Sequence, residues 1–290
     1  MAGNHLDVLI PTFERPGALA VTLAGLAAQP LAGARVVISD QSAQPVATDP
    51  AVLAMMRVLE HHGVPVVSDQ HLPRRGLAEQ RQFLFEQSSA DAVLYLDDDV
   101  WLEPGTLSRM SDALDELGCG FVGSAPQGLS YLADDRPHQR SAFEPWEGAV
   151  RPERVRRDSP AFDRTALHQA ANLAHLATER AGAGWTAYKI AWVGACVLYR
   201  RELLAAVGAF EFWRELPPVH SGEDVAAQWR VMERFGGAGI LPSGAVHLES
   251  PTTVPDRPVD AFDIVLAEPP APGAPIRGIP SRRSGGNIEG

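Results

Sequence analysis

Within the first hundred residues, short apolar runs alternate with segments of helical periodicity, and no other feature restricts the fold as strongly. Leu6 to Ile10 reads as a buried strand closed by Pro11, and Pro16 opens a periodic segment through Leu19, Leu23 and Leu26. Val36-Val37-Ile38 is a second strand, ending at Ser39-Asp40, and a helix over about Pro50 to Glu60 leads to a third, Val64 to Val67. A further helix, Leu77 to Gln87, precedes the strand Ala92 to Leu96. Strands alternating with helices form βαβ units and a parallel sheet, with ligands at the carboxyl ends of the strands. The pattern predicts an α/β chain whose first half binds a nucleotide.

That fourth strand runs straight into Asp97-Asp98-Asp99. Carboxylates this close repel and raise one another's pKa unless a divalent ion or basic groups neutralise them. Oxygen-only ligation suits a hard ion such as Mg2+ or Mn2+, and Mg2+ is usually held by one or two carboxylates plus substrate phosphates. The plainer alternative is a solvated acidic loop, or a cap for the helix after Pro104. Its place at a strand end favours a ligand site.

Composition narrows the partners. A net charge of −11 over 290 residues argues against a nucleic-acid binder, which needs a basic face, so an anionic substrate must be met by local Arg groups or a metal. Only Cys119 and Cys196 are present, both in apolar settings, so neither a disulfide framework nor a Cys-based zinc site is expected. A reducing cytoplasm fits. The N-terminus lacks the basic and apolar regions of a signal peptide, and the longest apolar run, Ile190 to Tyr199, is too short to span a bilayer. Peripheral attachment to the inner face of a membrane stays open.

Past the triplet, a helix runs from Pro104 to about Leu117 and a strand covers Gly120 to Gly123. Residues 125–165 carry many Pro, Arg and Asp residues with little periodicity, which predicts an irregular excursion serving as a lid, an acceptor site or a passive loop. Trp192 to Tyr199 returns to compact structure, and Arg201 to Val207 is a short helix stopped by Gly208. Ser221-Gly222-Glu223-Asp224 then precedes an amphipathic helix with Val225, Trp229 and Met232 on one face. Two short strands, around Gly239 to Leu241 and Ala245 to Leu248, enclose a turn at Pro242-Ser243-Gly244. From 251 to 290 the composition turns to Pro, Gly, Ala and Ser and predicts a flexible tail.

Four landmarks occur in order: Val8-Leu9-Ile10-Pro11-Thr12-Phe13-Glu14-Arg15, Asp40, Asp97-Asp98-Asp99 and Gly222-Glu223-Asp224. In that order and spacing they make the chain resemble the family 2 glycosyltransferases of the GT-A fold over roughly residues 6 to 250. The resemblance implies a single Rossmann-like domain, a mixed sheet flanked by helices, over residues 1–250. A nucleotide-binding half would cover about 1–100 and an acceptor-binding half about 101–250. It implies that Pro11, Thr12 and Arg15 line a nucleotide pocket and that Asp40 accepts hydrogen bonds from base or ribose; by itself Asp40 could equally start an Asx-turn. Arg75-Gly76 and Arg81 match positions that approach the nucleotide or diphosphate, although Gln80-Arg81-Gln82 departs from the usual Ala-Arg-Asn. A solvated basic helix face is the other reading of these arginines.

Within the triplet, Asp97 and Asp99 match the outer positions of the Asp-x-Asp motif, with Asp99 the direct metal ligand, Asp97 on ribose or metal-bound water, and Asp98 towards the donor sugar. His247 falls where some GT-A enzymes add a metal ligand; alone it would be a structural histidine. Asp224 matches the general base of inverting members and Glu223 an acceptor-orienting group, against the simpler role of a helix N-cap pair. Gly194, Trp192 and Trp213 lie where donor and acceptor sugars are walled, though large apolar residues at such spacings are commonly core.

The expected activity is metal-dependent (Mn2+ or Mg2+) transfer of a sugar from a UDP-, GDP- or dTDP-sugar to a hydroxyl acceptor, with inversion. A retaining enzyme, a nucleotidyltransferase and a non-catalytic nucleotide-sugar binding module are the rivals. The nucleotidyltransferase would need a Gly-rich, basic phosphate loop, which Pro11-Thr12-Phe13-Glu14-Arg15 is not.

Overall fold

The computed structural model describes residues 5–180, 184–254 and 257–267. Its first half follows the sequence pattern: β1 (Leu6–Thr12), α1 (Pro16–Ala27), β2 (Ala34–Asp40), α2 (Pro50–His61), β3 (Val66–Gln70), α3 (Leu77–Glu86) and β4 (Ala92–Leu96). β1 pairs in parallel with β2 and β4, and β2 with β3, in a register that sets Thr12 beside Asp40 and Asp40 beside Gln70. The carboxyl ends of these strands therefore lie along one rim. β3 begins later than its apolar run predicts: Val64 packs in the core from the preceding turn, while Ser68, Asp69 and Gln70 complete the edge ladder.

The second half contains β5 (Val100–Leu102), α4 (Thr106–Leu117), β6 (Phe121–Gly123), β7 (Gln127–Gly128), α5 (Pro137–Arg140), α6 (Asn172–Glu179), β8 (Thr186–Tyr188), β9 (Cys196–Arg200), α7 (Arg201–Ala205), α8 (Glu223–Phe235), β10 (Gly237–Leu241), β11 (Ala245–His247) and α9 (Ala261–Val265). The large sheet has eight strands in the order β3-β2-β1-β4-β9-β6-β10-β8, and β9 is antiparallel to both its neighbours. The result is a mixed sheet. The strands around Pro242-Ser243-Gly244 do not pair with each other: β10 stays in the large sheet, whereas β11 joins a three-stranded sheet, β5-β11-β7. That small sheet sets His247 opposite Val100, and the Leu248 amide donates to the Asp99 carbonyl at 2.8 Å.

Both faces of the inner strands of the large sheet are buried, so β1, β2 and β4 read as continuous apolar runs rather than as an alternation. Val8, Ile10, Leu94 and Leu96 pack with Leu19, Leu23 and Leu26 of α1; Leu9, Val93 and Tyr95 face the other way, into a core with Val225 and Trp229 of α8. These two cores hold the rim from both sides.

The excursion at 125–165 is irregular but packed. Val155 and Leu167 are buried, and the Arg164 guanidinium, almost fully enclosed, donates to Glu153 at 2.7 Å. Residues 257–267 also pack on the body. Ser221 bonds through its amide to Val259 O (3.0 Å) and through its hydroxyl to Asp260 (2.8 Å), and Phe262 packs on Trp229 with ring centroids 5.0 Å apart. The Pro-rich composition conceals one apolar anchor, Ala261-Phe262, and that anchor suffices to dock α9. The rest of the expected tail, 268–290, lies outside the described residues.

Candidate active site

A cleft of about 450 Å³ opens along the rim, with Pro11, Thr12 and Gln41 on one side and Gly76, Leu77 and Gln80 on the other. Thr253 and Val254 of the C-terminal segment also line it. α3 begins at the cleft because Gly76 takes φ +105°, and a Cβ there would stand 2.5 Å from His220 Cε1. His220 replaces the missing side-chain cap: its Nδ1–H donates to Pro217 O (2.7 Å), leaving Nε2 to accept from the Ala78 amide (3.2 Å). Burial pushes the His220 pKa down, which keeps that acceptor available.

Of the three aspartates, Asp98 turns inward. It accepts from Thr12 Oγ1 at 2.7 Å and from Arg15 at 3.1 Å, and burial raises its pKa to about 6 against the pull of both partners. Arg15 also reaches Asp99 Oδ2 at 2.8 Å and bonds the carbonyl of Pro251. Asp97 is the most open of the three and accepts from Arg81 at 3.0 Å. His247 Nε2 lies 3.8 Å from Asp99 Oδ2, while its Nδ1 accepts from the Glu249 amide at 2.8 Å. An amide can only donate, so the neutral ring carries its proton on Nε2, and that nitrogen could ligate a metal only by giving up the bond to Glu249. Among the described residues no group of three or more His, Cys, Asp or Glu side chains is gathered to hold a metal alone. Asp97 and Asp99 nonetheless offer hard oxygen donors, a partial set that fits an ion completed by a diphosphate and water.

Arg81 joins this acidic rim to the start of α8. It is 3% exposed and its Nε donates to Glu223 at 3.1 Å while Nη2 holds Asp97. Burial opposes its charge, but Asp97, Glu223 and Asp224 together outweigh burial and raise its pKa. Asp224, beside Glu223 at the head of α8, retains some exposed surface but its carboxyl is enclosed. Burial first, then the Glu223 charge, push its pKa up to about 7. Among the described residues the one hydrogen bond it accepts is from the amide of Val225, 2.8 Å away, at the start of its own helix. Its Oδ2 faces Gly194, where a Cβ would come within 3.8 Å. Gln228, one turn along α8, clasps the Val193 backbone with a donated and an accepted bond (2.6 and 2.8 Å), and Trp229 Nε1 donates to Ala191 O at 2.8 Å. These bonds fix the 191–194 segment against the carboxylate.

The family model for glycosyl transferase family 2 matches residues 7–178, more than half of the chain. The chain belongs to glycosyl transferase family 2. The match takes in the triplet and the cleft wall from Pro11 to Gln80, and ends before His220, Thr253 and Val254 of that wall and before Gly194, Asp224 and His247. Comparison with curated proteins finds no match. Among solved structures, this chain is similar to the mannosyltransferase PcManGT from Pyrobaculum calidifontis in complex with GDP-Man and Mn2+ (TM-score 0.53, 17% identity, 86% of this chain and 58% of that one). It is also similar to Staphylococcus aureus TarS 1-349 (TM-score 0.52, 16% identity, 83% and 59%). The likeness is one of fold, GT-A, and this chain spans somewhat under two thirds of those chains. No helix among the described residues is long and apolar enough to cross a membrane.

Several of the candidate residues make their contacts within the chain itself. Asp40 is 1% exposed and accepts from the amides of Ser42 (2.8 Å) and Val46 (2.7 Å), so both carboxylate oxygens serve its own loop and the Asx-turn alternative holds. Arg75 is exposed and absent from the cleft wall; Arg74 lines it instead, its guanidinium 3.5 Å from the Phe13 ring centroid. Arg81 is spent on carboxylates rather than open to a phosphate. Asp98 faces Thr12 and Arg15. Trp192 packs on Phe162 (5.9 Å) and Trp213 stacks with Arg214 (5.0 Å), and neither lines the cleft. Pro11, Thr12, Arg15, Asp97 and Asp98 do line it. The reading by motif passed over Gln41, His220 and Gln228; only Gln228, at i+4 from Asp224 on the helix, carried a positional signal.

Proposed function

We propose that this chain transfers a sugar from a nucleoside-diphosphate donor to a hydroxyl acceptor with inversion, and that Asp224 is the general base. The enclosed Asp224 carboxylate, raised to about 7 and facing a glycine, carries this reading, because a base works best with a pKa near the working pH and room for the nucleophile beside it. In the step, Asp224 takes the acceptor hydroxyl's proton as that oxygen bonds the anomeric carbon. The bond from that carbon to the diphosphate oxygen breaks, and the nucleoside diphosphate leaves with the electron pair. Attack opposite the leaving group inverts the anomeric centre.

The cleft between β1, β2 and α3 would take the nucleoside, with Pro11, Thr12 and Arg74 on its walls. Arg15 supplies positive charge beside the triplet, where a diphosphate would lie. Asp99, with Asp97, would hold Mn2+ or Mg2+, which when bound neutralises charge on the departing diphosphate. Arg81 ties Asp97 to Glu223 and so keeps the donor rim and the base in fixed relation. The GDP-Man and Mn2+ bound to PcManGT are consistent with a nucleotide-sugar donor and a divalent cation here.

The test is transfer or donor hydrolysis over a panel of UDP-, GDP- and dTDP-sugars with Mn2+ or EDTA, comparing wild type with Asp224→Asn and Asp99→Ala. The expected result is turnover lost in both variants, donor affinity kept in Asp224→Asn, and metal affinity lost in Asp99→Ala. Full turnover in Asp224→Asn would overturn the assignment of the base.

A further inference from the structure

The loop that follows β2 is bonded almost to completion. Both oxygens of Asp40 hold loop amides, and the Ser42 hydroxyl accepts from the Glu14 amide at 2.7 Å. Gln70 Nε2 donates to the carbonyls of Ser42 (2.9 Å) and Ala43 (3.3 Å), and Gln80 Nε2 to those of Ser39 (2.7 Å) and Thr12 (3.3 Å). Gln41 itself is pinned by its backbone, its amide donating to Thr12 O at 3.0 Å. Its side chain is the exception. Gln41 is 3% exposed and lines the cleft, and its Nε2 has no hydrogen-bond partner among the described residues. Ser39 Oγ is also without a partner, but Ser39 is not in the cleft wall.

An enclosed amide N–H without an acceptor is destabilising, and native proteins keep few of them without a use. Rotation about χ3, a soft torsion, turns the amide plane so that either atom meets a ligand. We propose that Gln41 reads the nucleobase of the donor, Nε2–H donating to an acceptor on the base edge and Oε1 accepting from the N–H beside it. The inference rests on the cleft being the nucleoside-diphosphate site proposed above. Three observations favour base over phosphate as the group it meets. Gln41 is neutral; the positive charges on the cleft, Arg15 and Arg74, belong to other segments; and the Arg74 guanidinium stacked on Phe13 gives a planar surface for a flat ring. Asp40, the acidic residue the motif offered for this task, is locked into its turn. The rigid loop then acts as a mount for a single reading side chain, an arrangement that favours selectivity because little is ordered on binding.

Calorimetric titration of the full chain with UDP, dTDP, GDP, CDP, ADP and inorganic pyrophosphate, in Mn2+, separates base from phosphate binding. Wild type should bind at least one nucleoside diphosphate about 10-fold or more tighter than pyrophosphate, and Gln41→Ala should lose most of that difference while binding pyrophosphate unchanged. Since the side chain has no native partner, Gln41→Ala should unfold at the same temperature as wild type or higher. The inference is overturned if Gln41→Ala keeps the full preference for nucleotide over pyrophosphate, or if wild type shows no such preference. Should wild type bind none of these ligands, the reading of the cleft itself falls, and this inference with it.

Discussion

The loop after β2 and the head of α8 each carry an acidic side chain at the end of an element and are built in opposite ways. Around Asp40 each carboxylate oxygen accepts from a backbone amide of the following loop, which makes a rigid support for that loop. Around Asp224 the carboxyl has a single bond from its own helix and a neighbouring carboxylate, which leaves it destabilised and reactive. Hydrogen bonds to an ionised group make it inert, and withholding them keeps the pKa near neutrality. An acidic residue at a strand end and another at a helix start look alike in sequence, yet only their partners decide which one can do chemistry.

The largest effect that separates the two regions is on turnover. Asp224→Asn should lower the transfer rate by about 10²–10⁴-fold with nucleotide affinity unchanged, whereas Asp40→Asn should leave the rate within about one order of magnitude. Steady-state rates on the two variants, with binding measured separately, check this; equal losses would dissolve the contrast.

Next in size is the Arg81 bridge between the triplet and the head of α8. Arg81→Met leaves Glu223 enclosed without its counter-charge and should destabilise the fold by about 3–5 kcal/mol in denaturant titration. A loss below about 1 kcal/mol would mean that the Asp97–Arg81–Glu223 link is ornamental. Asp40→Ala strips two buried amides of their acceptor and should cost about 1–3 kcal/mol of stability, in contrast to the stability-neutral change at Gln41.

The pH dependence is the finest discriminator. Because the folded Asp224 carboxyl titrates above its unfolded value, the folded protein holds that proton more tightly. Its contribution to stability is therefore present at acid pH and is lost as pH rises from about 4 to 7. Asp224→Asn removes that penalty, so the variant should gain on wild type by ~1 kcal/mol or more between pH 4 and pH 8 in urea titrations at several pH values. A constant difference would show that Asp224 is not titrating in that window.

The sequence exposed the strands and helices of the first half because both faces of their sheet are buried and their ends carry Pro, Ser and Asp. It exposed the triplet and Glu223-Asp224 because the charges sit at element ends, where nothing apolar hides them. What it concealed was pairing between distant segments. That β9 enters antiparallel beside β4 depends on a contact between residues 92–96 and 196–200, which local periodicity does not encode. Arg81 read as a phosphate arginine because its partners Asp97 and Glu223 are 16 and 142 positions away. Gln41, a neutral residue between two turn-formers, offered no signal until its neighbours' bonds could be counted. The packed α9 escaped because two residues, Ala261 and Phe262, outweighed the composition around them.

Proton NMR of the sugar first released from a hydrolysed nucleotide-sugar donor tests the central claim most directly, since water then takes the acceptor's place before mutarotation sets in. Base catalysis by Asp224 on a single displacement should give the anomer opposite to the donor's in wild type and no release in Asp224→Asn. Release of the donor's own anomer would contradict the account.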